Sequence, residues 1–269
     1  MQENTMEYTI GEVAEILHLS RDMIRYYEKQ GTITSVRNAE NNYRTYEIKD
    51  VFWLLEAIMH KNFGMNIKEI TSFRSKDYEE RFSAYLEDFA KKQEQESRRS
   101  LLLAARSREL AERVKLAEDN IGCMWVAEIP ACYRCHLVDG RGDVYERVTL
   151  KGKNSELLFS DEVNPFVDPY FDVHGDVQSW DIRIRESYVS ALDIRLTDDF
   201  DYVPESRCFC MNVDIGEMMH FDTGVIDGFK ALVRKRYGLS DPRIRGLLVS
   251  RGVSTGSFHR IVELQAVLE

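Results

Sequence analysis

The sequence predicts a protein whose N-terminal part is helical and whose C-terminal part is of the α+β class. All five prolines lie at or beyond Pro130, and no glycine or proline occurs between Met65 and Ile121, a pattern that favours long helices. Beyond Gly122, short runs rich in Val, Ile, Tyr and Phe alternate with Gly, Pro and Asp, which is typical of strands and turns. We therefore expect three regions, residues 1–75, 76–121 and 122–269.

The composition fits a soluble globular chain with two or so folding units. Of the 269 residues, 43% are hydrophobic and 30% are charged. No apolar run reaches the roughly 18 residues of a membrane span, and the N-terminus lacks the pattern of a signal peptide. We expect a cytoplasmic protein without a membrane partner. The five cysteines form no tight framework, which argues against a disulfide scaffold.

The first 50 residues carry the pattern of two short helices followed by a basic loop. The first helix is predicted from its apolar positions Ile10, Val13, Ala14 and Leu17. Thr9 with Glu12 has capping-box spacing, and Ser20 opens the second helix. This second helix carries Arg21, Arg25 and Tyr26, and the following loop carries Tyr43 and Arg44. The pattern predicts a winged helix-turn-helix, with one helix in a DNA major groove and a wing on the flanking phosphates.

The charge excludes a uniformly basic DNA-binding domain. The net charge is −10, and the first 70 residues hold 8 basic and 11 acidic side chains. Salt screens the interactions of exposed charges beyond about 8–10 Å. DNA affinity therefore depends on where the basic side chains lie and not on the net charge. Arg21, Arg25, Arg37 and Arg44 fall on the predicted helix and wing. We expect non-specific affinity to be modest and strongly salt-dependent.

Three segments carry a resemblance to a known family. They are Tyr8-Thr9-Ile10-Gly11-Glu12-Val13-Ala14, Ile24-Arg25-Tyr26-Tyr27-Glu28-Lys29-Gln30-Gly31 and Asn42-Tyr43-Arg44-Thr45-Tyr46. Over about residues 8–70 the chain resembles the MerR family of bacterial transcription regulators. The resemblance implies dimers that bind double-stranded promoter DNA between its two elements and activate RNA polymerase by distorting that DNA.

The expected DNA contacts follow from this match and from the helix and wing pattern. They are Arg21, Arg25, Tyr26, Arg37, Tyr43, Arg44 and, in a second wing, Lys61. Arg25 suits either a phosphate or a bidentate contact to guanine. Tyr27 continues the apolar line of Met23 at a spacing of four residues, so we interpret it as a core candidate.

A long helix is predicted from about Lys76 to Asn120. Apolar residues recur at heptad spacing near both ends, for example at Phe82, Leu110 and Val114, whereas the centre of the seam is polar. Two interpretations remain open: a solvated helix packed on its own C-terminal domain, or a dimerisation coiled coil. The family resemblance implies the second, with antiparallel pairing of two such helices in a homodimer.

The C-terminal region contains a faint internal repeat. Ile129-Pro130 leads to Cys135 and Val138-Asp139, and Val203-Pro204 leads to Cys210 and Val213-Asp214. The repeat predicts a duplicated β-α-β-β domain, with helices near 154–163 and 226–237. This arrangement resembles the gyrase-inhibitor-like effector domain of multidrug-responsive members of the family.

Aromatic residues and one acid suggest a ligand site in this region. Glu263 lies in an otherwise apolar run, at the place where multidrug-responsive relatives carry an acidic residue in the last strand. Aromatic faces attract desolvated cations by about 0.5–2 kcal/mol. The expected ligand contacts are Glu263, Tyr133, Tyr170, Trp180, Phe209 and Tyr237. The expected function is a ligand-responsive activator that binds a small aromatic, cationic compound. Two alternatives remain open. In one, the aromatic residues belong to the structural core. In the other, Glu263 is an exposed strand residue on the same face as Ile261 and Gln265.

Two other functions stay open at this point. Cys123, Cys132 and Cys135 lie where shorter family members sense metals or redox state, and soft thiolates hold such metals. The competing interpretation is that the cysteines are buried strand residues. We find no catalytic motif and expect no enzyme activity, cofactor or metal, although gyrase-inhibitor-like domains sometimes hydrolyse small molecules.

Overall fold

The computed structural model describes residues 7–38, 42–73, 77–142, 144–148, 150, 152–175, 177–217, 221–254 and 257–268. The chain divides into two compact units, Met1–Glu94 and Gln95–Glu269. We call the first unit the head and the second the C-terminal unit. Within the described ranges, no helix is both long enough and apolar enough to cross a membrane.

The head is built from short helices around a small antiparallel sheet. Its elements are β1 (Glu7–Thr9), α1 (Ile10–Leu17), α2 (Arg21–Lys29), β2 (Val36–Arg37), β3 (Arg44–Glu47), α3 (Ile48–Asn62), α4 (Ile67–Ser72) and the start of α5 (Tyr78–Lys115). The strand order is β1-β3-β2. The predicted start of the long helix at Lys76 lies outside the described residues, and α5 ends at Lys115, five residues before the predicted end.

Local capping determines where the head's helices begin and end. The predicted capping box at Thr9 with Glu12 is confirmed, Ser20 caps α2 as predicted, and a second capping box joins Asn66 and Glu69 at the start of α4. Each cap satisfies backbone N–H groups that have no partner inside the helix. Gly31 and Gly64 have positive φ angles of 77° and 82° directly after α2 and α3, where a residue without Cβ is favoured.

The core of the head lies where α1, α2 and α3 meet β3. Val13, Ile24, Tyr46 and Leu54 are fully buried there. Tyr27 is 2% exposed, which confirms its assignment to the core. Because Ile24 and Tyr27 fix the inner face of α2, the opposite face of that helix is left at the surface.

The C-terminal unit is organised around one large antiparallel sheet. Its further elements are β4 (Met124–Ile129), β5 (Cys132–Arg141), β6 (Val144–Tyr145), α6 (Lys153–Leu158), β7 (Val167–His174), β8 (Val177–Arg185), α7 (Glu186–Ala191), β9 (Asp201–Val203), β10 (Ser206–Asp214), α8 (Thr223–Tyr237), β11 (Ile244–Ser254) and β12 (Ser257–Val267). The nine strands follow the order β4-β10-β12-β11-β7-β8-β5-β6, with β9 paired to β5. The order strand, helix, strand, strand occurs at β10-α8-β11-β12, and the first half differs from it by the short strand β6 between β5 and α6, which are followed by β7 and β8.

The two faces of this sheet differ in chemistry. Successive side chains of a strand point to opposite faces, so β12 divides into two sets. Val262, Leu264 and Ala266 belong to the main apolar core, together with Phe229 and Val233 of α8. Ile261 lies on the other face, where it packs with Ala117 and Val249. Glu263 and Gln265 alternate in step with Ile261, so they share this second face, which we call the polar face.

Candidate functional site

The outer face of α2 presents three of the predicted DNA contacts. Arg21 and Arg25 are exposed, and the Tyr26 side chain is 45% exposed although its neighbour Tyr27 is buried. The Arg25 guanidinium lies 3.0 Å from the Asp22 carboxylate, and both groups are open to solvent. Since exposed ion pairs of this kind contribute little, Arg25 can leave Asp22 for another anion at small cost.

Glu28 connects α2 to the loop that the sequence assigned to a wing. Its carboxylate accepts a hydrogen bond from Ser35 and one of 3.4 Å from the Tyr46 hydroxyl, and it lies 3.5 Å from Arg44 Nε. The loop is closed by β2 and β3, where Arg37 stands in register with Arg44. One carboxylate thus fixes the loop relative to the exposed face of α2.

The remaining predicted contacts lie around the same surface. Tyr43 is 72% exposed, and Arg37 Nη1 donates a hydrogen bond of 3.0 Å to the Asn42 carbonyl oxygen. Lys61, in the last turn of α3, lines a groove of about 540 Å³ together with Tyr26. The structure therefore brings Lys61 and α2 to one groove, and Arg37, Tyr43 and Arg44 to one loop.

The structure separates the six predicted ligand contacts. Phe209 stacks on Phe229, with ring centroids 5.7 Å apart, and Phe209, Trp180 and Tyr237 all belong to or pack against the apolar core beside α8. Tyr133 packs instead against a smaller cluster around Phe166. These positions suit a structural role, because a side chain that fills the core is not available to a pocket on the polar face.

Tyr170 and Glu263 share the polar face. Leu247 of β11 stands in register with Tyr170 on one side and with Glu263 on the other, so these two side chains flank the same residue. Glu263 is partly buried, and it accepts a hydrogen bond of 2.7 Å from Gln265 Nε2. Their role in binding a ligand stays a prediction.

Guanidinium groups dominate the surroundings of these two side chains. Asp168 is ion-paired with Arg106, lies 3.9 Å from Arg113 and lies 3.7 Å from Arg183. Burial would raise the pKa of Asp168, but the charges of Arg183, Arg106 and Arg113 lower it below its ordinary value. The Asp168 carboxylate therefore stays ionised and holds the end of α5 on the polar face.

A second carboxylate, Glu109 of α5, completes this network. It lies 3.3 Å from Arg106 and 2.7 Å from Arg113, and it is also ion-paired with Arg185. Two carboxylates thus share four arginines. We use the term arginine face for these four arginines together with their neighbour Arg245 on β11. Its members are Arg106, Arg113, Arg183, Arg185 and Arg245.

Comparison with known proteins identifies the N-terminal segment. Residues 9–46 match the family model described as MerR family regulatory protein. The head carries a MerR-family helix-turn-helix domain. The matched range of this MerR domain includes α1, α2, the loop and β3, so it covers every predicted DNA contact except Lys61.

Two curated relatives match a limited stretch of the chain. Over 68 residues the chain is 35% identical to an uncharacterized HTH-type transcriptional regulator of Haemophilus influenzae, a match that covers 25% of this chain and 50% of that relative. Over 61 residues it is 36% identical to heavy metal-dependent transcription regulator 2 of Rhizobium meliloti, covering 23% of this chain and 42% of that relative. The matched part spans about half the length of these relatives.

A solved structure is similar in sequence to part of the chain. It is the crystal structure of HiNmlR, described as a MerR family regulator lacking the sensor domain, bound to promoter DNA. It is 29% identical and covers 42% of this chain and 96% of that chain, with a TM-score of 0.33. That TM-score is too low to support a structural comparison.

The cysteines behind the MerR head are placed as buried strand residues, with the exception of exposed Cys123. Cys132 and Cys135 stand three positions apart in β5 and point to opposite faces, so one metal ion cannot bind both thiols without rebuilding the strand. Burial raises the pKa of both thiols, which disfavours the thiolate that metals require. Among the described residues no group of three or more metal-ligating side chains comes together.

Sequence reasoning missed the arginine face, although a signal for it was present. Arg245 lies in the run Ile244-Arg245-Gly246-Leu247, where a charge interrupts a buried strand as Glu263 does in β12. Arg183 alternates with Ile182 and Ile184 in β8 in the same way. Charged residues that alternate with apolar ones therefore marked this face in three strands, but only the acid was singled out.

Proposed function

We propose that this chain is an effector-responsive transcription activator that binds promoter DNA as a homodimer through its MerR domain. The observation that carries the proposal is the joint surface of α2 and the loop. Arg21, Arg25 and Tyr26 project from the exposed face of a capped helix, and Arg44 is held beside that helix by Glu28. A helix of this kind fits a major groove, and a basic loop fits the phosphates beside it.

Charge placement explains how an acidic chain binds DNA. Phosphate neutralisation depends on the few guanidinium groups within a Debye length of the backbone, not on the net charge of −10. Among the described residues of the head, Arg25 forms an ion pair with Asp22 alone, and this pair is exposed. DNA phosphates or a guanine edge compete well with such a partner, because they offer a bidentate contact in a less hydrated setting.

The C-terminal unit is assigned the sensor role, with the duplicated β-α-β-β arrangement that the sequence suggests. Distorting a short promoter site costs on the order of 1–6 kcal/mol. An effector must favour the activating conformation by a comparable difference in affinity, so that RNA polymerase meets realigned promoter elements. We take the effector to be a small aromatic compound. The sequence alone favours a cation at Glu263, whereas the arginines around Glu263 favour an anion.

Arg25→Ala tests the DNA-binding role. Duplexes selected from a random-sequence pool by the full-length chain serve as the probe, and affinity is measured by gel shift at fixed salt. We expect a loss of about 1–3 kcal/mol in binding free energy, the range for a lost guanidinium contact to DNA. Lys49→Ala is the matched control, because Lys49 is an exposed cation on α3 outside the α2 and loop surface. Equal affinities for wild type and Arg25→Ala would refute the assigned role.

A further inference from the structure

The polar face of the C-terminal sheet is rich in charged side chains. The arginine face contributes five guanidinium groups, and the carboxylates beside them include Asp168, Glu109, Glu263 and Asp172. Four of the arginines are engaged by Asp168 and Glu109. The fifth, Arg245, takes part in no such pair.

Arg245 is buried without a partner. It is 5% exposed, its Nε atom is shielded from solvent, and among the described residues none forms a hydrogen bond or an ion pair with it. A guanidinium removed from water without a counter-charge is costly, and such a group normally lies opposite a carboxylate or a ligand. Asp172 stands in register with Arg245, but its carboxylate is already held by Arg134 and Arg243.

The neighbours of Arg245 show which side chains a ligand would meet. Arg183 lies with its guanidinium carbon 4.9 Å from the centre of the Tyr170 ring. Burial raises the pKa of Tyr170 and of Cys132, and Arg183 and Arg245 both act against that rise. The two guanidinium groups therefore lie within electrostatic range of the same aromatic ring and the same thiol.

Unsatisfied acceptors accompany the unpaired cation. Gln265 stands in register with Arg245 across β11 and β12, and its Oε1 atom is buried without a donor among the described residues. The Oδ1 atom of Asn212, in register with Glu263, is in the same condition. Buried polar atoms without partners are few in native proteins and often mark a place where a ligand or water binds. This face offers a charged donor and neutral acceptors side by side.

We propose that the polar face binds an anionic effector, an aromatic small molecule whose carboxylate or phosphate oxygens are held by Arg245 and Arg183 beside the Tyr170 ring. Arg245 supplies a guanidinium that forms no ion pair with the described residues, and its planar fork of donors matches two oxygens of one oxyanion. Tyr170 supplies a flat apolar surface, and Gln265 accepts a hydrogen bond from a hydroxyl or amine of the ligand. The proposal rests on the sensor role assigned to the C-terminal unit and reverses the charge expected from Glu263 alone.

Four probes that share one phenyl ring test the charge preference. Benzoate and phenyl phosphate carry the two candidate oxyanions, phenyltrimethylammonium is the cationic counterpart, and benzyl alcohol is neutral. Binding to the full-length chain is measured by calorimetry at millimolar probe concentration. We expect at least one oxyanion to bind about tenfold or more tightly than the cationic and neutral probes, because hydrogen bonds to a buried charge are the strong ones. The tighter of the two anions identifies the effector's head group.

Arg245→Gln and Arg207→Gln form a matched pair of variants. Arg207 lies on β10 of the same sheet, but its side chain is 61% exposed. We expect Arg245→Gln to weaken the bound oxyanion about tenfold or more and Arg207→Gln to leave its affinity unchanged. Without ligand, Arg245→Gln should raise the unfolding midpoint, since it removes an unpaired buried charge. If Arg245 has a structural role, Arg245→Gln should instead lower the unfolding midpoint.

Several results would overturn the proposal. The first is that phenyltrimethylammonium binds more tightly than the oxyanions and loses affinity in Glu263→Gln. The second is that Arg245→Gln and Arg207→Gln weaken oxyanion binding equally. The third is that neither oxyanion binds. Gel shifts with the selected duplexes are run in parallel on the same preparations. DNA binding without oxyanion binding rejects this site and keeps the regulator, whereas oxyanion binding without DNA binding rejects the regulator and keeps the site.

Discussion

Glu28 is the residue on which the geometry of the head's surface depends most. It accepts hydrogen bonds from the loop residue Ser35 and from Tyr46 of β3, and it lies beside Arg44. Burial and the neighbouring Glu28 carboxylate raise the pKa of Tyr46 to about 12, so its hydroxyl stays protonated and remains a donor at neutral pH. One side chain thus aligns the exposed face of α2 with the loop that follows it.

Glu28→Ala should therefore destabilise the head. It leaves the Tyr46 hydroxyl and the Ser35 hydroxyl without their acceptor, at a cost of about 1–3 kcal/mol in the free energy of unfolding. Urea titration followed by circular dichroism measures the change. Glu15→Ala is the control, because Glu15 is an exposed acid on α1 with no side-chain contact of this kind. If both variants unfold at the same urea concentration, Glu28 does not hold the loop.

At the scale of single residues, the sequence predicted the interactions that join groups only a few residues apart along the chain. The caps at Ser20 and Asn66 join a side chain to a backbone N–H two or three residues away, so spacing alone reveals them. It did not predict that Arg106 pairs with Asp168, because 62 residues separate them along the chain. Nor did composition show which aromatic side chains enter the core, since that depends on strand order. Phe209 and Trp180 meet one core only because β12, β11 and β7 lie between their strands.

At the scale of elements, His60 is the contact between α3 and α5 that responds to pH. Its ring packs edge-on against Phe82 at a centroid distance of 4.4 Å, and its Nε2 atom lies 3.1 Å from the Tyr78 hydroxyl. Burial lowers the pKa of His60 below its ordinary value of 6.5. The imidazole is therefore neutral in the folded head and accepts a proton more readily once the head unfolds.

The sign of the pH effect follows from proton linkage. Below pH 6.5 the unfolded chain binds a proton at His60 that the folded head excludes, so stability falls as the pH drops through this range and recovers above it. His60→Gln should reduce this pH dependence, because glutamine does not titrate, and His18→Gln on the exposed turn after α1 should retain it. Urea midpoints between pH 5.5 and 7.5 provide the comparison. If the urea midpoint changes with pH by the same amount in His60→Gln and in wild type, another group is responsible for the pH dependence.

At the scale of the whole molecule, the heptad pattern of α5 serves two purposes. Phe82 and Phe89 pack within the head, and Leu103 packs within the C-terminal unit, so these apolar positions of α5 are occupied inside one chain. Val114 is 51% exposed, although it is a large apolar residue on a helix. The packing within one chain agrees with the first interpretation of the sequence, and pairing of the helix with a second chain stays a prediction.

Val114→Glu tests whether that remaining surface joins two chains. A buried glutamate without a counter-charge is strongly unfavourable in a helix interface, so we expect the variant to be a monomer of 31.4 kDa and the wild type to have twice that mass. Ala105→Glu is the matched control, because residue 105 is exposed on the same helix and lies on the side opposite to Val114. Light scattering gives the mass of each. Since a helix-turn-helix dimer reads two half-sites, the monomer should also bind the selected duplexes more weakly than Ala105→Glu does. A Val114→Glu protein with the wild-type mass would place the dimer contact elsewhere on the chain.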